Sequence, residues 1–200
     1  MGTDPDLISL LLNRLHWVVF DIEATNLSSD EGRIICCGFK PLGKKPYMIG
    51  LKDVGCDSDP ILIDRKLAVA IRDELEKYDG CIGWNCLKYD LPFIGDRLLI
   101  AGERRRKPVF VVDAMYYFKM FQSCLKSARL DWVSRVMNVA SRKTPLEIDT
   151  WKRAEAEMFN GMKGDTPSYD RIVYHCKKDL EVTEQVFHKA KERIRSLQRR

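Results

Sequence analysis

Four carboxylates at three places in the chain have the types and spacing to do chemistry together. Asp21 and Glu23 lie in the run Val18-Val19-Phe20-Asp21-Ile22-Glu23. Side chains two apart on a strand point to one face, so this pair projects together from the end of an apolar strand. Neighbouring carboxylates repel unless a divalent cation lies between them, and Mg²⁺ prefers carboxylate oxygens. Taken alone, the pair reads as solvated acids at a strand end. Asp179-Leu180-Glu181 repeats the same spacing and shows how common it is. Asp90 closes the stretch Gly83-Trp84-Asn85-Cys86-Leu87-Lys88-Tyr89-Asp90 at the start of a helix, where its simplest role is a cap. His175 and Asp179 are four apart, stacked on one helix face, whereas Tyr174 points well away from Asp179. Alone, that pair is an ordinary helix-surface contact.

The combination is more specific. D-x-E on an early strand, N-x-x-x-Y-D opening a middle helix and Y/H-x-x-x-D on a late helix resemble the three exonuclease motifs of the DEDD superfamily. That superfamily includes the proofreading domains of DNA polymerases and ribonuclease D. Ala128-Arg129-Leu130-Asp131-Trp132-Val133, then Trp151, then His175-Cys176-Lys177-Lys178-Asp179-Leu180-Glu181-Val182-Thr183 are similar to the C-terminal half of the tyrosine branch, in the manner of family B polymerase exonuclease domains. The likeness runs from about residue 16 to residue 190, and no polymerase portion follows, so the expectation is a stand-alone exonuclease occupying residues 1–200 as a single domain. One departure stands out. His175 occupies the spacing of the tyrosine branch and Tyr174 that of the histidine branch, and the helical geometry favours His175.

The resemblance implies a metal-dependent 3′→5′ exonuclease with two Mg²⁺ or Mn²⁺ ions about 3.5–4 Å apart. Asp21 would bridge them, Glu23 and Asp179 would complete the ligand set, and Asp90 would bind directly or through water. His175 would orient or deprotonate the attacking water. The substrate implied is the 3′ end of single-stranded nucleic acid, DNA rather than RNA, with a polymerase or another replication or repair protein as a possible partner. Thr25 and Asn26 would contact the terminal nucleotide, and Asn85 a base or phosphate. Tyr89 divides evenly between stacking and core; Trp84 and Phe93 read as core. Two alternatives stay open: a catalytically inactive module of the same fold that binds nucleic acid or protein, and a structure-specific endonuclease.

These residues need elements to hold them. Strands are expected at 16–20, ending at Asp21, at 33–39 and at 46–51, forming a meander. An extended piece at 60–63 leads to a helix capped by Asp64 and running to about Tyr78. Short buried strands at 81–84 and 109–112 flank a helix at 91–101. Helices follow at 114–123, 129–139, 150–159 and from about Tyr169 to the end. This order predicts an α/β fold, a mixed sheet flanked by helices with a helical C-terminal half, as in the ribonuclease H-like architecture.

Composition describes an ordinary soluble globular protein and excludes little. Of the 200 residues 45% are hydrophobic and 32% charged, with a formal net charge of +5. That balance suits a polyanionic partner without requiring one. Seven scattered cysteines, with no CxxC, read as free thiols in a reducing, cytoplasmic setting rather than as a disulfide framework or zinc site. No apolar run reaches a membrane span, and Leu7 to Leu12 reads as a short covering helix. Two basic runs, Arg104 to Lys107 and the C-terminal set from Lys189 to Arg200, suit phosphate contacts or a solvated surface equally and slightly less well, respectively.

Overall fold

The computed structural model describes residues 14–121, 125–141 and 144–198. The helix expected at Leu7 to Leu12 lies outside them. Five strands form one sheet: β1 (Trp17–Ala24), β2 (Ile34–Pro41), β3 (Tyr47–Gly50), β4 (Gly80–Gly83) and β5 (Phe110–Asp113). Their spatial order is β3-β2-β1-β4-β5, with β1–β2 and β2–β3 antiparallel and β1–β4 and β4–β5 parallel. Among the described residues seven helices surround it: α1 (Leu51–Val54), α2 (Arg65–Leu75), α3 (Asp90–Ile100), α4 (Ala114–Phe121), α5 (Leu130–Val136), α6 (Ile148–Phe159) and α7 (Pro167–Gln198). The meander, the crossovers and the helical C-terminal part are those expected from the sequence.

Alternation along β1 decides which residues meet which layer. Val18, Phe20 and Ile22 are buried in a core with Leu67, Ile71 and Leu75 of α2 and Phe93, Ile94 and Leu98 of α3. Trp17 and Val19 are buried in another, with Phe118 of α4, Val133 of α5 and Leu180, Val186 and Phe187 of α7. Asp21 and Glu23 continue the row of Trp17 and Val19, so they emerge on the face that α7 crosses. The helix lies very close there. A side chain at Gly38, the cross-strand partner of Asp21, would put its Cβ 2.6 Å from Leu180 Cδ1 and 3.0 Å from Cys176 Sγ. Glycine at this position is what lets α7 bring Cys176 and Asp179 over Asp21.

The start of α7 is pinned from another helix. Pro167 takes the first helical position, where its missing N–H costs nothing. The Glu157 carboxylate of α6 accepts the N–H groups of Ser168 at 3.0 Å and Tyr169 at 2.8 Å. Glu157→Gln keeps one acceptor but loses the second bond and the charge facing the helix dipole. It should lower unfolding free energy by about 1 kcal/mol in urea denaturation; an unchanged midpoint would reject this capping role.

Several expectations are corrected. β1 does not end at Asp21 but runs on to Ala24, so the D-x-E pair sits inside the strand. β3 stops at Gly50, and Leu51 starts a short helix rather than ending a strand. Residues 60–63 form turns and not an extended piece. β5 is only partly buried, because it is the last strand of the sheet and Phe110 faces outward. Asp64 stands at the N-cap of α2 but makes no side-chain capping bond. Its buried carboxylate instead accepts the Ile34 N–H at 2.8 Å and pairs with the buried guanidinium of Arg97 at 2.6 Å. Burying either charge alone would be costly, so the pair ties β2, α2 and α3 together.

Candidate active site

Asp21 and Asp179, far apart in sequence, line one cavity of about 990 Å³ together with His175. Trp84, Asn85, Met115, Arg129, Arg135, Thr144 and Trp151 form other parts of its wall, and Leu27 stands exposed at its edge. Asp21 arrives from β1, Trp84 and Asn85 from the end of β4, and His175 and Asp179 from successive turns of α7. The parallel strands β1 and β4 thus open at the same end, where loops assemble the site.

The ligand oxygens of Asp21 and Glu23 and Sγ of Cys176 all lie within 4.8 Å of one another. Cys176 is fully buried, and that burial, with the adjacent Cys36, pushes its thiol well above the ordinary range. It donates to the backbone carbonyl of Asp21 at 3.4 Å. A protonated thiol used in this way supports the strand, leaving carboxylate oxygens as the donor set. That set fits a hard divalent cation such as Mg²⁺ or Mn²⁺.

Asp90 is set directly behind the pair. It is 3% exposed, and its Oδ1 accepts the N–H of Ile22, the residue between Asp21 and Glu23, at 3.0 Å. Burial raises its pKa from 3.8 to about 7; the Ile22 bond opposes the rise and the Asp113 charge adds to it. It opens α3 as its first helical residue rather than capping it, since the cap position belongs to Tyr89. The four acids are therefore not one compact cluster. Asp21 and Glu23 are close, Asp179 shares the cavity of Asp21, and Asp90 is bonded to the strand between Asp21 and Glu23.

His175 and Tyr174 have separate environments. His175 is 5% exposed, its Nδ1 lies 2.8 Å from Thr144 Oγ1, and its Nε2 lies 3.8 Å from Asp179 Oδ2. The Trp151 ring meets the imidazole edge-on. Tyr174 is 54% exposed and lies under the Lys178 ammonium.

The other sequence candidates divide. Asn85 lines the cavity in the left-handed conformation, with φ +63°. Thr25 and Asn26 do not line it: Thr25 Oγ1 accepts the Arg33 N–H, and Asn26 bonds Glu31 and Ser28 within its own loop. Tyr89 is half-buried, packs against Phe93 and donates to the Asn26 carbonyl at 3.2 Å, so it braces that loop. Phe93 is core, as expected. Trp84 is not wholly core, since one side lines the cavity while Nε1–H donates to the Ala128 carbonyl. Arg104 pairs with Glu76 at 2.7 Å and with Asp73, which binds its run to α2. Lys189 donates to the carbonyls of Met137 and Asn138, which tie it to the end of α5. Among the described residues the basic side chains lining the cavity are Arg129 and Arg135, neither of which was read from sequence as a phosphate contact. Each is an isolated arginine in a short helical segment, with no run to mark it.

Fold and site together define a ribonuclease H-like protein with an acidic cavity at the strand ends. The chain belongs to the RNase H superfamily, whose family model matches residues 18–191. It is similar in structure to the family B DNA polymerase of the hyperthermophilic archaeon Pyrobaculum calidifontis, with a TM-score of 0.61 and 15% identity. The match covers 88% of this chain and 27% of the polymerase, and at that identity it speaks for the fold alone. No curated protein matches the chain. Among the described residues no helix is long and apolar enough to cross a membrane.

Proposed function

We propose that the chain is a metal-dependent 3′→5′ exonuclease acting on single-stranded nucleic acid, DNA in preference to RNA. The observation that carries this reading is the meeting of Asp21, Asp179 and His175 on one open cavity, with Glu23 beside Asp21. Asp21, Glu23 and Asp179 would hold divalent ions, and Asp90 would join them directly or through water. Such ions lower the pKa of bound water and offset charge on the scissile phosphate.

The chain's own residues would do the rest. Buried beside Asp179, His175 would take a proton from the attacking water at Nε2, with Thr144 beside the other ring nitrogen. Arg129 and Arg135 offer guanidinium groups to phosphates, and Trp84 and Trp151 offer ring surface to bases. The free thiols among the described residues fit a reducing, cytoplasmic setting, where a polymerase or repair protein could supply the 3′ ends.

Digestion of a 5′-labelled single-stranded oligonucleotide with Mg²⁺ or Mn²⁺ tests the reading. A ladder shortened from the 3′ end is expected, with no cutting in chelator and none of a circular single strand. Cutting of the circle would make the protein an endonuclease. His175→Ala should lower kcat about a hundred-fold, whereas Tyr174→Phe should leave it within about two-fold. The reverse ranking would move the base to Tyr174.

A further inference from the structure

Asp113, at the end of β5, is an acid that the four-carboxylate scheme does not use. It is 4% exposed, and its carboxylate accepts four backbone N–H groups. Oδ1 takes those of Asn85 at 3.0 Å, Met115 at 3.0 Å and Tyr116 at 3.3 Å, while Oδ2 takes that of Leu87 at 3.1 Å. Two of these residues, Asn85 and Met115, line the cavity from separate stretches of chain. One of them, Asn85, holds a left-handed backbone that an L-residue adopts at a cost.

We infer that Asp113 is a positioning residue for the nucleic-acid-binding wall of the cavity, clamping the loop that carries Asn85 to the start of α4. The inference rests on the reading that this cavity receives a nucleotide. Its physical basis is the acceptor count. A buried anion with two oxygens can satisfy donors on both sides at once, and an amide cannot. In Asp113→Asn the remaining oxygen would stay with the three donors on the Oδ1 side. The new NH₂ would then face the Leu87 N–H, donor against donor, and the loop would shift at Leu87 and carry Asn85 with it. Asp113 commits its oxygens to backbone N–H groups and reaches Asp90 through its charge, so a cation site on the β1 and α7 carboxylates should survive its neutralisation.

The test measures binding apart from cleavage. Fluorescence anisotropy with a labelled single-stranded oligonucleotide in Ca²⁺ should show wild-type binding and about ten-fold weaker binding by Asp113→Asn, a loss typical of one mispaired buried donor. Mn²⁺ affinity, read by electron paramagnetic resonance without oligonucleotide, should stay within about three-fold of wild type, the margin left by the Asp113 charge felt at Asp90. Amide exchange should quicken at Asn85 and Leu87 and not across the sheet. Wild-type binding by the variant, or loss of Mn²⁺ together with the oligonucleotide, would overturn the inference. Should Asp113→Asn fail to fold, Asn85→Gly decides. Glycine suits the left-handed backbone, so only the side chain is lost, and binding as tight as wild type would end the case. A wild-type protein that binds the strand and never cuts it would defeat the exonuclease reading and leave this inference standing.

Discussion

Asp21→Ala should reduce cleavage at least a thousand-fold while leaving the fold in place. A thousand-fold is about 4 kcal/mol of transition-state stabilisation. Removing the residue proposed to bridge the ions is expected to exceed that, because both the nucleophile and the leaving oxygen depend on them. The structural cost should be small. Asp21 is only partly buried, it lies inside β1, and the ladder bonds to β2 are made by backbone. Alanine should also relieve the repulsion with Glu23. Single-turnover cleavage, Mn²⁺ titration and thermal melting together check the expectation. Cleavage at the wild-type rate would remove Asp21 from the site, and with it the central ligand of the scheme. Asp179→Ala should behave likewise, and a contrast between the two would show which acid the ions need more.

The parts of this site legible in sequence are those whose chemistry is local. D-x-E reads as a pair because strand alternation is strict, and His175 with Asp179 reads as a pair because helix spacing is. Helix geometry also ranked His175 over Tyr174, and the structure buries the first in the cavity wall and exposes the second. What stayed hidden depends on contacts distant in sequence. Gly38 looks like any strand glycine until α7 is laid on it. Asp64 has the position of a helix cap, yet its partner Arg97 lies on another helix, and no local pattern announces a buried ion pair. Asp113 ends a short strand and caps the helix that follows by accepting the Met115 and Tyr116 N–H groups. That it also reaches back to the loop after β4 follows from the parallel pairing of β4 and β5, which brings Gly83 opposite Asp113. Thr25 and Asn26 bond within their own loop, outside the cavity lining, for a related reason. Adjacency to a motif does not say whether a side chain is already engaged by its own loop.

Asp90→Asn should make the metal-free protein more stable above neutral pH and at the same time cost about a thousand-fold in activity. Burial raises the Asp90 pKa from 3.8 to about 7, so the folded chain prefers the protonated acid. A group whose folded pKa is raised contributes stability that is fully present below its unfolded pKa and is lost as pH rises through the folded one. The loss therefore develops between about pH 4 and pH 7, with the full cost reached above it. At about 1.4 kcal/mol per unit, it is on the order of 4 kcal/mol. Asparagine has no charge to bury and still offers Oδ1 to the Ile22 N–H, so the variant keeps the bond and escapes the cost. Thermal melts in chelator should show the wild type losing stability from pH 5 to pH 8 and the variant losing less, with the variant melting higher at pH 8. Adding Mn²⁺ should reverse the order, because a cation beside Asp90 restores the ionised form in the wild type alone. A variant that melts lower than wild type at pH 8 in chelator would mean that the carboxylate is stabilising where it sits. Asp90 would then be a structural acid and not one held at a cost for binding a metal.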